Sequence, residues 1–340
     1  MRVTMKDIAK YAGCSVTTVS LVLNNKARSI PEQTQKRVME VVKELKYRPN
    51  QLAVGLIKKQ TRTIGLVISD VSNSFFATLT KGVEDECRRE GWNLILCNTN
   101  DYHKREMEYI RTLDDKGADG IILCFAKEDD TSQLRETLGL IRELGVPHVM
   151  VDRYVSDVEP YFVATDHEKG GYLAGKHLAK MGHKRIGCIT GPGNLEDSRM
   201  RTAGFRRALE ESGISFDREN VYVGNYDMES GERGAQYLME RGVTAIFAYN
   251  ELSAYGVYRW AGKNGKTVPE DISVVGYDDV GFSDIFNAPL TSVRQPVYEM
   301  GKEAVHQMIA GIKEKKPKKE KIQFEPELII RKSVKVLDDV

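Results

Sequence analysis

Several short segments of this 340-residue chain carry side chains suited to gripping a small molecule, and each follows an apolar run. They are Asn73-Ser74-Phe75-Phe76, Asp152-Arg153, Arg199 and Arg201 after a Gly191-Pro192-Gly193 turn, Tyr226-Asp227, Asn250, Asp278 and Gln295. Phe125 follows another such run. Aromatic rings cover the C–H faces of a pyranose or furanose, while carboxylates, amides and guanidiniums pair with neighbouring hydroxyls. The chemistry implied is recognition of a neutral polyol. Plainer alternatives stand beside it: Phe75 and Phe76 as core, Asp152-Arg153 as a surface ion pair, Asp278-Asp279 as a loop turn. Arg201 is preferred to Arg199 because it opens an Arg-x-Ala-Gly-Phe segment.

Chemistry of other kinds finds little support. Gly191-Pro192-Gly193-Asn194 is not GxGxxG, and there is no GxSxG, HExxH or P-loop lysine motif. Asp278 and Asp279 are paired carboxylates only in sequence, because adjacent residues on an extended chain face opposite ways. An enzyme is therefore not expected. Cys14, Cys87, Cys97, Cys124 and Cys188 are scattered without CxxC spacing, and the six histidines form no ligand pair at helical spacing. No metal and no cofactor is implied. The N-terminal stretch lacks the apolar core of a signal peptide, and no window approaches the roughly 18 apolar residues of a membrane span. The expectation is a cytoplasmic protein with reduced thiols and no membrane partner.

A second set of chemically suggestive residues lies near the N-terminus, in Ser15-Val16-Thr17-Thr18. Before it, Met5, Ile8, Ala9 and Ala12 share one helical face, and Thr4 with Asp7 has capping-box spacing. Ala12-Gly13-Cys14-Ser15 then breaks the helix. Ser15 is suited to cap a second helix that carries Val19, Val22 and Leu23 inward and ends at Asn24-Asn25. Pro31 opens a third, with Val38, Val41, Val42 and Leu45 on one face. Three short helices with a tight first turn describe a helix-turn-helix module. A protein-binding bundle is the alternative, and charge weighs against it. The whole chain carries 50 Lys+Arg and 49 Asp+Glu, a net of +1, but residues 1–60 hold 12 against 4 and the rest 38 against 45. A basic head of +8 sits on an acidic body of −7. Ser15 and Thr18 would hold phosphates, and Val16, Thr17 and Leu21 would meet base edges.

From Arg62 the pattern changes to apolar runs alternating with helical stretches. Strands are expected at 64–68, 94–97, 120–123 and 149–151, with helices at 76–90 and 104–116. A second series follows at 185–189, 221–223, 245–248 and 272–275. Continuous apolar strands with crossover helices indicate parallel sheets covered on both faces. Two series in tandem give two doubly wound subdomains with a cleft at the carboxyl ends of the strands. The fold class is thus α/β, with an N-terminal three-helix helix-turn-helix domain preceding two doubly wound parallel-sheet subdomains. Lys313–Lys321, rich in lysine around Pro317, is expected to be a solvated connector.

The head, TMKDIAKYAGCSVTTVSLVLN over residues 4–24, resembles the N-terminal signature of LacI/GalR-family transcriptional regulators. Tyr47-Arg48-Pro49-Asn50, then Ala53 and Leu56, is similar to that family's hinge helix. The resemblance implies a hinge that folds on operator binding, with Leu56 wedged into the minor groove at the centre of a near-palindromic site. It implies DNA contacts from Thr4, Ser15, Val16, Thr17, Thr18, Ser20, Leu21, Asn24, Tyr47, Asn50, Ala53 and Leu56. Leu21 and Val54 stand where the family commonly has Arg, and Cys14 where it has Val. An operator differing from the family's commonest half-site is expected. The body resembles the family's periplasmic-binding-protein-like effector domain over almost its full length, through Ala164-Thr165-Asp166, Gly170-Gly171 and Glu327–Ser333 as well. Its set Asn73, Phe75, Phe76, Asp152, Arg153, Arg201, Tyr226, Asn250, Asp278 and Gln295 looks most like ribose-type repressors and ribose-binding proteins. Phe125 lies near a pocket position that is often polar, and His167 replaces a usual Asn.

The organisation expected is a helix-turn-helix domain at 1–48, a hinge at 49–60, and an effector and dimerisation domain at 61–340. Within the last, an N-subdomain covers about 61–162 and 292–322, and a C-subdomain about 163–291 and 323–340. The function expected is a sequence-specific regulator, a repressor of carbohydrate-utilisation genes. It acts as a homodimer on operator DNA and answers a small sugar, ribose first. The alternatives are a sugar-binding transport component, or a family member answering another sugar, a sugar phosphate or a nucleobase.

Overall fold

The computed structural model describes residues 3–24, 26–47, 60–127, 131–159, 161–314 and 320–337. The chain divides into two compact units, Met1–Arg62 and Thr63–Val340. The hinge residues Asn50, Ala53 and Leu56, and most of the lysine-rich connector, lie outside the described residues.

In the first unit, helices α1 (Met5–Ala12), α2 (Val16–Leu23) and α3 (Glu32–Glu44) enclose Ile8, Ala9, Ala12, Val19, Val22, Ala27, Val38 and Val41. Each helix begins where its cap dictates. Thr4 and Asp7 complete a reciprocal capping box, with Thr4 N donating to Asp7 Oδ2 at 2.8 Å. Gly13 takes the left-handed conformation (φ 60°) that ends α1 and turns the chain into α2. Ser15 Oγ accepts from Thr18 N at 3.0 Å and so caps α2.

The second unit holds two six-stranded sheets. The first combines β1 (Thr63–Ile68), β2 (Asn93–Asn98), β3 (Gly120–Leu123), β4 (His148–Val151), β5 (Phe162–Thr165) and the late strand β11 (Lys321–Phe324), in the order 11-5-4-3-1-2, all parallel. The second combines β6 (Ile186–Thr190), β7 (Val221–Val223), β8 (Ala245–Ala248), β9 (Ser273–Asp278), β10 (Thr291–Arg294) and an antiparallel β12 (Glu327–Ile329), in the order 12-10-9-8-6-7. Helices α4 (Ser74–Arg89), α5 (His103–Asp115), α6 (Thr131–Leu144) and α11 (Val297–Glu314) belong to the first lobe. Helices α7 (His167–Lys180), α8 (Glu196–Glu210), α9 (Met228–Met239) and α10 (Glu251–Lys263) belong to the second. Core clusters lie on both faces of each sheet, which is why the central strands read as unbroken apolar runs.

The lobes exchange chain three times, and the exchanges sit a few residues beyond the expected borders. Strand β5 still pairs in the first sheet, β10 pairs in the second, and β11 returns to the first. Crossing therefore falls after Thr165, Arg294 and Phe324. The strand expected at 272–275 runs on to Asp278, which places that carboxylate at the strand's end. The helix expected from Phe76 starts two residues earlier because Asn73 caps it, accepting from Phe75 N at 3.0 Å.

Candidate effector pocket and nucleic-acid interface

Both lobes share one strand order, 2-1-3-4-5 in local numbering, so their carboxyl ends form the edges of a crevice. Asn73, Phe75 and Phe76 follow β1, and Asp152-Arg153 follow β4. Across the gap, Asp197 and Arg201 follow β6, Tyr226 follows β7, Asn250 follows β8, Asp278 ends β9 and Gln295 follows β10. These residues line one cavity. It gathers all the effector residues expected from sequence except Phe125, and it adds Asp197.

Phe125 is the correction. Its ring is buried in the core of the first lobe, against the sheet face opposite Phe75 and Phe76. Only its carbonyl serves the site, accepting from Arg153 Nη1 at 2.9 Å. The alternatives weighed for other residues resolve on burial. Asp152 and Arg153 are 7% and 6% exposed, so they are no surface pair. Phe75 and Phe76 do both jobs, packing into the core edge to face (centroids 5.2 Å apart) while lining the cavity. Asp278 and Asp279 diverge as adjacent residues should. Asp278 faces the cavity, and Asp279 is clamped by Arg331 Nη1 at 2.6 Å and Arg294 Nε at 2.9 Å. Arg199 is exposed and Arg201 buried.

Backbone geometry marks the same positions. Asp152 (φ 65°), Tyr226 (φ 61°) and Asp278 (φ 100°) occupy the left-handed half of the map, which side chains other than glycine adopt at a cost. All three side chains line the cavity from these turns.

The two arginines are fixed before any ligand arrives. Arg153 Nη1 donates to Asp101 at 2.6 Å and to Ser69 Oγ at 2.7 Å, with its guanidinium 5.5 Å from the Phe76 ring centroid. Burial alone would raise the Asp101 pKa, but the Arg153 guanidinium and the Ser69 hydroxyl outweigh it and hold Asp101 at about 2. Arg201 stacks 3.8 Å from the Tyr277 ring centroid and donates to the Tyr249 carbonyl and to His167 Nδ1. Burial and the adjacent Arg201 charge push His167 down to about 3, so this imidazole is neutral and accepts. Helices α7 and α8 pack backbone to backbone here. A Cβ on Gly171 would lie 2.1 Å from the Arg201 carbonyl, and one on Gly204 1.8 Å from that of Glu168.

The carboxylates are less satisfied. Asp152 is pushed up to about 7 and Asp278 to about 6, in both cases by burial, which nearby arginines offset only in part. Asp278 accepts from Gln295 Nε2 at 2.8 Å, and Asp152 has a weak donor in Cys124 Sγ at 3.6 Å. Among the described residues, Asp197 Oδ1 and Gln295 Oε1 are buried without a hydrogen-bond partner. The cavity thus offers surplus acceptors. At its mouth the lobes are bridged: Lys127 Nζ donates to the Asn225 carbonyl at 3.0 Å, Asn194 Nδ2 to the Lys127 carbonyl at 3.2 Å, and Ser156 N to Glu196 at 2.9 Å.

In the first unit, Thr4, Ser15, Val16, Thr17 and Asn24 are exposed, and Thr18, Ser20, Leu21 and Tyr47 half-buried. Thr18 Oγ1 is hydrogen-bonded to Ser15 Oγ at 2.8 Å, so capping already engages both hydroxyls expected at phosphates. Val16 and Thr17 stand free at the start of α2, where a helix N-terminus meets a groove.

A helix-turn-helix unit followed by a two-lobed binding domain with a polar crevice defines a ligand-responsive DNA-binding regulator. Residues 61–332 match the family described as "Periplasmic binding proteins and sugar binding domain of LacI family", and residues 4–50 match "Bacterial regulatory proteins, lacI family". The chain belongs to the LacI family, and it is a DNA-binding repressor of that family. Among its relatives is the HTH-type transcriptional repressor PurR of Vibrio campbellii, 37% identical over 98% of this chain and 99% of the relative. The lac repressor dimer bound to operator and the anti-inducer ONPF superposes with a TM-score of 0.87 at 25% identity, covering 98% of this chain and all of that one. A LacI family regulator from Enterococcus faecium with bound ribose has a TM-score of 0.71 at 29% identity, over 81% of this chain and all of that one.

Asp197 was missed from sequence. The available signal was its place four residues before Arg201, one helical turn away on α8, with Nη2 to Oδ2 at 3.8 Å.

Proposed function

We propose that this repressor controls carbohydrate-utilisation genes from the cytoplasm, as a homodimer on a near-palindromic operator, and that its effector is a small neutral sugar, ribose first. The observation that carries the ligand is the surplus of acceptors in the crevice. Asp197 Oδ1 and Gln295 Oε1 have no donor among the described residues, Asp152 has only the weak Cys124 thiol, and a polyol supplies several hydroxyl donors at close spacing. Both arginines are already engaged by Asp101 and Asp197, so an anionic ligand would meet uncompensated carboxylates. The PurR relatives span the whole chain and the ribose-bound structure is more distant, so the ligand is argued from the pocket's own atoms.

Dimerisation is supported by the lac repressor dimer and by apolar side chains left exposed on equivalent edge strands, Leu96 on β2 and Val223 on β7. Effector binding would select one arrangement of the lobes and so shift the operator-competent population. Contacts of Val16, Thr17 and Leu21 with base edges, and the wedge role of Leu56, belong to the same proposal. A thermal-shift screen of neutral sugars, sugar phosphates and nucleobases tests the ligand, since a bound ligand stabilises by mass action. Stabilisation by ribose or another neutral pentose supports the assignment. Stabilisation only by a phosphate ester or a base contradicts it.

A further inference from the structure

Asp197 differs from the rest of the crevice in being half-used. It lies in the first turn of α8 and is 6% exposed. Its Oδ2 accepts the Tyr226 hydroxyl at 2.5 Å and faces Arg201 at 3.8 Å, while Oδ1, equally buried, accepts nothing. Tyr226 lines the cavity too, from a left-handed position after β7. The tyrosine thus pins one carboxylate oxygen and fixes the direction of the other. A buried, unpartnered carboxylate oxygen is expensive unless something donates to it. Among the described residues no donor reaches it, which leaves the ligand.

We propose that Asp197 is a specificity-determining residue of the effector pocket: Oδ1 accepts a hydrogen bond from a hydroxyl of the bound ligand, and the same charge excludes ligands that bring an anion to that end of the crevice. This rests on the neutral-sugar assignment above. Tyr226 is a positioning residue in this arrangement, because it acts through Asp197. Burial works against the charged form of Asp197, but Arg201 and the Tyr226 hydroxyl prevail, and its pKa is lowered. The group is therefore ionised throughout the working range, unlike Asp152 and Asp278.

The test uses the full-length protein, titrated calorimetrically with D-ribose and with ribose 5-phosphate. In Asp197→Asn the amide oxygen can still take the Tyr226 hydroxyl, so the shape is kept while the amide nitrogen replaces Oδ1. Ribose affinity should fall roughly 10- to 100-fold, the loss expected of a charge-assisted bond. The preference for ribose over its phosphate should shrink at least tenfold. A purely structural role would weaken both ligands together and leave their ratio intact. Tyr226→Phe, which keeps the ring, should weaken ribose by a smaller factor. Ribose binding within twofold of wild type in Asp197→Asn, or an unchanged ratio, overturns the inference while leaving the sugar assignment standing. A wild-type protein that binds neither ribose nor another neutral pentose overturns the assignment, and the inference with it.

Discussion

Replacing Asp278 with Asn should make the empty protein more stable and a poorer receptor at once. Asp278 is 6% exposed, and burial lifts its pKa from 3.8 to about 6. At pH 8 the ionised carboxylate is therefore held against its preference. At about 1.4 kcal/mol per pH unit, the lift amounts to about 3 kcal/mol withheld from stability. The amide removes that cost while its oxygen still accepts from Gln295 Nε2, now 2.8 Å from Asp278 Oδ1. Asn also tolerates the positive φ at this position better than most residues. A gain of up to about 3 kcal/mol, or roughly 5–10 °C in Tm for a domain of this size, is expected at pH 8. The sign depends on pH: at pH 4, where the wild-type group is protonated in the native state, the advantage should vanish. Ligand affinity moves the other way, because an ionised acceptor is lost, and should fall roughly 10- to 100-fold. Scanning calorimetry at pH 4 and pH 8, with a ribose titration at pH 8, measures both effects. A variant less stable than wild type at pH 8, or one binding ribose unchanged, would refute the argument that this carboxylate is kept buried for the ligand.

Other outcomes follow from the same geometry. Asp152 and Asp278 have native pKa values raised to about 7 and about 6, so their contribution to stability is full below about pH 4 and lost as pH rises through 6–7. Ligand hydroxyls favour their ionised forms, so ribose affinity should rise from pH 5 to pH 8, with proton release at pH 6 visible as a buffer-dependent heat. Gly171→Val should destabilise the second unit by several kcal/mol, because its side chain would meet the Arg201 backbone; urea unfolding measures it, and a loss under 1 kcal/mol contradicts the packing. Lys127→Met should weaken ribose about 3- to 10-fold by removing the bridge to the Asn225 carbonyl, with Tm in the absence of sugar nearly unchanged.

The crevice was legible in the sequence because parallel α/β lobes leave functional side chains at the carboxyl ends of apolar runs, and those runs are visible. Asp152 and Asn250 sit one and two residues past such a strand, and Asp278 ends one. Phe125 sits after one too, but its side chain turns into the core on the sheet face opposite Phe75 and Phe76. Asp197 escaped because its role comes from contact with Tyr226, 29 positions away, which no local pattern encodes. The lobe borders were displaced because β5, β10 and β11 are four-residue strands at the crossings, and β11 returns to pair with β5 from far along the chain, Lys321 beside Phe162. In the head, caps and a glycine turn specify the helices locally, and Thr4, Gly13 and Ser15 each sit where the sequence places them.

The central claim is that a sugar in the crevice governs the grip of the head on DNA. Fluorescence anisotropy on an operator fragment selected from genomic DNA, with and without saturating ribose, tests it most directly. The account predicts binding that weakens steeply with salt, as phosphate contacts require, and an affinity that ribose changes at least fivefold in wild type but not in Asp278→Asn at the same ribose concentration. Operator binding indifferent to every neutral sugar that the protein is shown to bind would contradict it.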